Sequence, residues 1–199
     1  MRQSLPSYEQ LLARAKNSAG LITLTFAGVI SQSIVSGRKP LIRALGEVRF
    51  QQMMETYFDG LMLANGDALG EDARGDEFDD LLQLLLEYRA EQTDERAWLS
   101  YAIATASMGN NHLWQDMGLP SRKALSALIA EHFPRLFARN DGDMKWKKFF
   151  YRLLCERANI PICKSPSCAV CTDFKHCFGS EEDSDTVPPI QVVSMRVTS

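Results

Sequence analysis

"DMKWKKFFYRLLCERANIPICKSPSCAVCTDFKHC", residues 143–177, joins two patterns. In its first half Trp146, Phe149, Phe150, Leu153 and Leu154 recur at helical spacing among lysines and arginines. Residues three and four apart share one face of an α-helix, so this half reads as an amphipathic helix with a single apolar stripe. Asp143 stands where it can cap that helix. Pro161 and Pro166 end helical structure. The second half holds four of the chain's five cysteines, Cys163, Cys168, Cys171 and Cys177, spaced C-x4-C-x2-C-x5-C. A helix stripe must be buried against something, and the rest of the chain supplies more helices to do it.

Phe50, Met53, Met54, Tyr57 and Phe58 repeat the helical period, and so do Phe78, Leu81, Leu82, Leu85 and Leu86. Ser7 with Gln10 forms a capping-box pattern before "YEQLLARAK". Thr93 caps a helix carrying Trp98, Leu99, Ala102, Ile103 and Ala106, and Ser121 caps "RKALSALIAEHF". "MGNNHLWQDMGLP" interrupts the pattern with Gly, Asn and Pro. No strong strand alternation is present. The expectation is therefore an all-α protein, a helical bundle of roughly six to seven helices ending in a cysteine-rich metal-binding loop. Residues 1–179 form one domain, with the loop at 163–177. Residues 180–199, opening on "SEED" and containing Pro188-Pro189, read as a flexible tail.

With 199 residues, 45% apolar and 24% charged, the composition is that of an ordinary globular protein. A net charge of −3 gives no global signal for nucleic acid or membrane. The charge is uneven, however. Residues 67–96 hold eleven acids and three bases, whereas 135–164 hold eight bases and three acids, so a basic segment leads into the cysteines. The acidic stretch reads as solvated surface. The best apolar run, Leu21–Val35, carries hydroxyls and Gln32 and is too short and polar to span a bilayer; it reads as a buried helix. No secretory signal is visible, which points to a reducing, cytoplasmic compartment where clustered cysteines bind metal or do redox chemistry.

Thiolates suit zinc, Cu(I) and iron–sulfur clusters. The Cys168–Cys171 pair lets two sulfurs face one centre, with backbone N–H groups available to spread their charge. Cys163 and Cys177 can close the site from either side, and Pro166 lowers the entropy of closing the first loop. Structural zinc sites usually draw two knuckles from separate hairpins. Here all four cysteines lie in one loop, and C-x4-C-x2-C is a partial ferredoxin spacing. The spacing favours a cluster, while zinc and redox thiols stay open. Cys155, on the helix, reads as a small apolar residue, with a role as an extra ligand the alternative. His132 reads as structural. His112, in the irregular "GNNHLWQD", and His176, beside Cys177, are possible auxiliary groups. Lys145, Lys147 and Lys148 form with Arg152 either the solvated face of the helix or a group that offsets cluster charge and attracts an oxyanion or an acidic partner. No G-x-S-x-G, P-loop or Rossmann fingerprint is present, and "DALGEDARGDEF" lacks EF-hand spacing.

"NHLWQDMGLPSR" (111–122), "DMKWKKFFYRLLCER" (143–157) and "CKSPSCAVCTDFKHCFGSEE" (163–182) together resemble the NifQ family of nitrogen-fixation proteins. The resemblance is strong over 109–182 and diffuse before residue 95. One minor departure is Met117 where leucine is expected, a volume-conserving swap. The resemblance implies a donor, not an enzyme: a carrier of a molybdenum–iron–sulfur cluster that supplies molybdenum for the iron–molybdenum cofactor of nitrogenase. It implies Cys163, Cys168, Cys171 and Cys177 as ligands, molybdate as the metal source, and the NifEN scaffold with the iron protein NifH as partners, with neither nucleic acid nor membrane. Two rivals remain from the residues alone: a helical interaction domain stapled by zinc, and an iron–sulfur electron carrier.

Overall fold

The computed structural model describes residues 5–67, 75–159 and 174–181. Among these there are ten helices and no strand: α1 (Tyr8–Ala13), α2 (Leu21–Val35), α3 (Glu47–Tyr57), α4 (Gly75–Tyr88), α5 (Asp94–Ser107), α6 (Leu113–Asp116), α7 (Arg122–His132), α8 (Pro134–Arg139), α9 (Trp146–Arg157) and α10 (Phe174–Phe178). The fold is all-α as expected. Six of the helices (α2, α3, α4, α5, α7 and α9) run eleven residues or more; the other four are short and add to the six or seven that periodicity predicts. No helix among the described residues is long and apolar enough to cross a membrane.

α2 and α5 are buried almost all round, and both are rich in small residues. Phe26, Ala27, Val29 and Ile30 of α2 are at most 1% exposed, and Leu99, Ala102, Ile103 and Ala104 of α5 are fully buried. Helices apolar on every face belong at a core centre, and α5 packs against α2, α3, α4 and α6. The hydroxyls that made Leu21–Val35 look polar turn inward: Thr23, Thr25, Ser31 and Ser33 are buried, and Thr25 donates to the Leu21 carbonyl at 2.9 Å. α4 and α9 are amphipathic outer helices. Leu81, Leu84 and Leu85 face in while Asp79, Asp80, Gln83 and Glu87 face solvent, so the acids of α4 from Glu77 on lie on a solvated face. Trp146, Phe149, Phe150 and Leu153 of α9 are buried, each such side chain contributing about 2 kcal/mol by leaving water. Glu87 pairs with Arg157 at 2.8 Å and ties α4 to α9.

Three caps form as the sequence predicts: Ser7 with Gln10, Thr93 accepting from the Arg96 N–H, and Ser121 accepting from the Ala124 N–H. Asp143 does not cap α9. It lies in the left-handed region at φ 52, its N–H donating to the Asn140 carbonyl at 3.0 Å. Asn140 then closes the turn on both sides of Met144, accepting from its N–H at 2.9 Å and donating to its carbonyl at 2.8 Å. The chain is thus held out of helix until Lys145, the N-cap. The irregular segment 108–120 also differs from expectation, since it contains the single turn α6.

Candidate functional site

Of the four clustered cysteines, Cys163, Cys168 and Cys171 lie outside the described residues, and Cys177 lies on α10. α10 has five residues, far too few to be stable alone. Its placement must come from tertiary contacts, and three are present. The Lys145 N–H donates to the Cys177 carbonyl at 2.8 Å. Phe178 packs on the core, stacking with Phe174 at 4.5 Å. The third contact follows one turn later, where the Glu181 side chain is buried to 6% exposure between an imidazole and a guanidinium. Its carboxylate lies 3.8 Å from His112 Nδ1 and 3.9 Å from Arg122 Nε.

Arg122 joins these contacts. Its Nη2 donates to the Asp143 carboxylate at 2.8 Å, to the Asp143 carbonyl at 2.7 Å and to the Met144 carbonyl at 3.2 Å. One guanidinium therefore fixes the turn that presents the Lys145 N–H to Cys177, and lies beside Glu181 as well. Multiple donors in a rigid plane suit Arg to such a junction.

Beneath it lies a second buried charge pair. Lys147 Nζ donates to the Asp116 carboxylate at 2.6 Å and to the Gly109 carbonyl at 2.8 Å. The other lobe of that carboxylate accepts from Asn111 Nδ2 at 3.0 Å. The His112 N–H donates to Gln115 Oε1 at 3.0 Å, setting the entry to α6. Gly109 is required here: a Cβ would fall 2.4 Å from Asp116 Oδ2. The α6–α7 turn is seated on α2, where a Cβ at Gly28 would lie 2.2 Å from the Met117 carbonyl oxygen.

The predicted auxiliary residues separate. His112 faces the end of the cysteine segment through Glu181. His176 is exposed on α10 next to Cys177, and Lys148 is exposed on α9. Lys147 is committed to Asp116, and Lys145 contributes its backbone N–H. Cys155 is half-buried on α9. His132 is buried in the core, as its structural reading requires; burial first, then Arg96, hold it below its ordinary value. Sequence reasoning missed Asp116, Arg122 and Glu181. Glu181 was assigned to the tail but is buried against the helical body. Among the described residues no group of three His, Cys, Asp or Glu side chains is placed to hold a metal ion.

The segments that meet at α10 are 109–122, 143–147 and 174–181, and a family model described as NifQ matches residues 25–179. The match begins in α2, so it takes in most of α2 with α3 and α4, where the sequence resemblance was diffuse. The chain is 36% identical to Protein NifQ of Azotobacter vinelandii over 155 residues, 71% of this chain and 80% of that one. It is 38% identical to Protein NifQ of Rhodobacter capsulatus over 149 residues, 73% of this chain and 82% of that one. With Protein NifQ of Klebsiella pneumoniae it shares 40% identity over 113 residues, 48% of this chain and 67% of that one. No solved structure matches significantly. A match over most of the chain, including α10 itself and the segments 109–122 and 143–147 that meet it, means that the chain belongs to the NifQ family.

Proposed function

We propose that this protein is a carrier, not a catalyst. Its cargo is a molybdenum–iron–sulfur cluster held by Cys163, Cys168, Cys171 and Cys177, and it gives up molybdenum for the biosynthesis of the iron–molybdenum cofactor of nitrogenase. Family membership supports the setting, and the complete C-x4-C-x2-C-x5-C motif supports the chemistry, since thiolates suit iron–sulfur and reduced molybdenum centres. The observation that carries the reading is the seating of Cys177. Two segments distant in sequence, 109–122 and 143–147, converge to hold a five-residue helix that bears the last thiol of the motif. That investment of buried charge is expected where a ligand must be held in place.

Molybdate is the metal source in this reading. The basic run from Arg135 to Lys164, with Lys148 exposed on α9, favours the approach of an anion. The receiving partners are the NifEN scaffold acting with the iron protein NifH, in the cytoplasm, with no role for nucleic acid or membrane.

Anaerobic purification with elemental analysis tests the reading. Iron, acid-labile sulfide and molybdenum together support it. Zinc alone, in a colourless protein, would replace it with a structural staple. Iron and sulfide without molybdenum, from cells grown on molybdate, would replace it with an electron carrier.

A further inference from the structure

We infer that Glu181 is a positioning residue: its buried carboxylate, set between His112 and Arg122, clamps α10 to the helical body and so fixes Cys177. The importance of fixing that thiol rests on the carrier reading above; the clamp itself does not.

A carboxylate that is 6% exposed loses most of its hydration, and such burial is tolerated only beside compensating charge. Arg122 supplies that charge from the first residue of α7, and His112 adds a second polar group from the entry to α6. The same Arg122 orders the 143–144 turn through three hydrogen bonds, and the next residue, Lys145, donates to the Cys177 carbonyl. Cys177 is thus bracketed. One tie reaches it directly through its own carbonyl, and the other holds the chain four residues later. Between them Gly179 makes the turn, its N–H donating to the Lys175 carbonyl at 2.8 Å. A side chain there would meet that carbonyl, with a Cβ only 2.4 Å from its oxygen. Phe178 alone cannot hold so short a helix, because five residues make too few internal hydrogen bonds to offset their ordering entropy. Without the clamp α10 lifts, and Cys177 leaves its half-buried position.

The test uses the metal-free full-length chain and its own cysteines. A short pulse of iodoacetamide, read peptide by peptide in a mass spectrometer, gives the alkylation rate at Cys177 and, as an internal control, at Cys155 on α9. Glu181→Gln keeps the shape and removes the charge. We expect Cys177 to react about tenfold faster, equivalent to about 1.4 kcal/mol of lost docking, with Cys155 unchanged. His112→Gln should move Cys177 in the same direction by less, and the double variant should fall short of the product of the two, as residues acting on one contact do. An unchanged Cys177 rate in Glu181→Gln, or a Cys155 rate that rises in step with it, would overturn the clamp. Since no metal is needed, these outcomes stand apart from whether the chain carries a cluster. In protein loaded with iron and sulfide, the same variant should release iron to a chelator faster at equal initial iron content.

Discussion

Lys147 Nζ sits 2.6 Å from Asp116 Oδ2, and the aspartate side chain is 6% exposed. The pair joins the first turn of α9 to α6, and the Gly109 carbonyl takes a second hydrogen bond from the same ammonium. Removing one partner of a buried pair leaves the other charge without compensation, which costs far more than an exposed pair is worth. Lys147→Met should therefore destabilise the fold by about 3 kcal/mol. Lys148→Met, one residue on and exposed, should stay within about 0.5 kcal/mol of the parent. Denaturant midpoints of the two variants check this. Equal effects would show that Lys147 is a surface charge like its neighbour.

The approach of α2 to the α6–α7 turn makes a second prediction. Gly28 lies against the backbone of residues 117 and 118, where a Cβ would come within 2.2 Å of the Met117 carbonyl oxygen and 2.6 Å of the Gly118 Cα. Neither is the flexible end of a side chain, so α2 and the turn must separate. Gly28→Ala should cost about 3 kcal/mol and lower Tm by about 10 °C, despite alanine's better helix propensity. Gly37→Ala meets no atom within 4 Å and is strained only by its φ of 65°, so it should cost less. Thermal unfolding of the two variants compares packing with backbone strain.

His132 gives a pH dependence. Burial, with Arg96 next in importance, holds it below its ordinary value of 6.5, against smaller opposing effects from Glu131 and Glu95. The unfolded chain therefore binds a proton near pH 6.5 that the folded protein accepts only at lower pH. Stability from this group is fully present above that range, falls as pH drops through it, and levels off below the folded value. His132→Gln removes the titration. The stability difference between parent and variant, from urea unfolding at about pH 7.5 and about pH 5.5, should shrink at the lower pH. A difference that holds constant or grows would mean that His132 is not held neutral by its burial.

Much of this was legible in the sequence, for reasons that particular residues make plain. Leu21–Val35 is a helix over the very residues of the apolar run, because burial on all faces needs no periodicity to announce it. Ser7, Thr93 and Ser121 cap as predicted because capping is local: the side chain bonds a backbone N–H three residues on. Asp143 looked like another such cap. Its failure is also local, since Asn140 captures Met144 from both sides and holds the turn open. Glu181 lies in the stretch 163–182 that carries the family resemblance, but its burial could not be read there. A charged residue after a glycine has the composition of a tail, and only the fold brings His112 and Arg122 to it. α6 was missed for a different reason, because four residues are too few to show a period.

The final prediction concerns the cysteines themselves. Replacing Cys168 or Cys171 by alanine should abolish iron and molybdenum loading and leave most of the helical circular dichroism intact. The separation follows from where the core is built. Leu81, Leu84, Leu99, Ile103, Leu125, Leu128, Phe149 and Phe150 are buried against one another and against α2 by helices that all end before Asn159. Their packing lies within α4, α5, α7 and α9, which precede the cysteine segment in sequence. A carrier that surrenders its cargo gains from such independence, since a fold held together by the metal would unravel at each delivery. A zinc staple has the opposite requirement, because the metal's binding energy is then folding energy. Loss of helicity in Cys168→Ala, in step with loss of metal, would identify a structural site. Retained helicity with no bound iron or molybdenum would leave the four cysteines as a place where cargo is held.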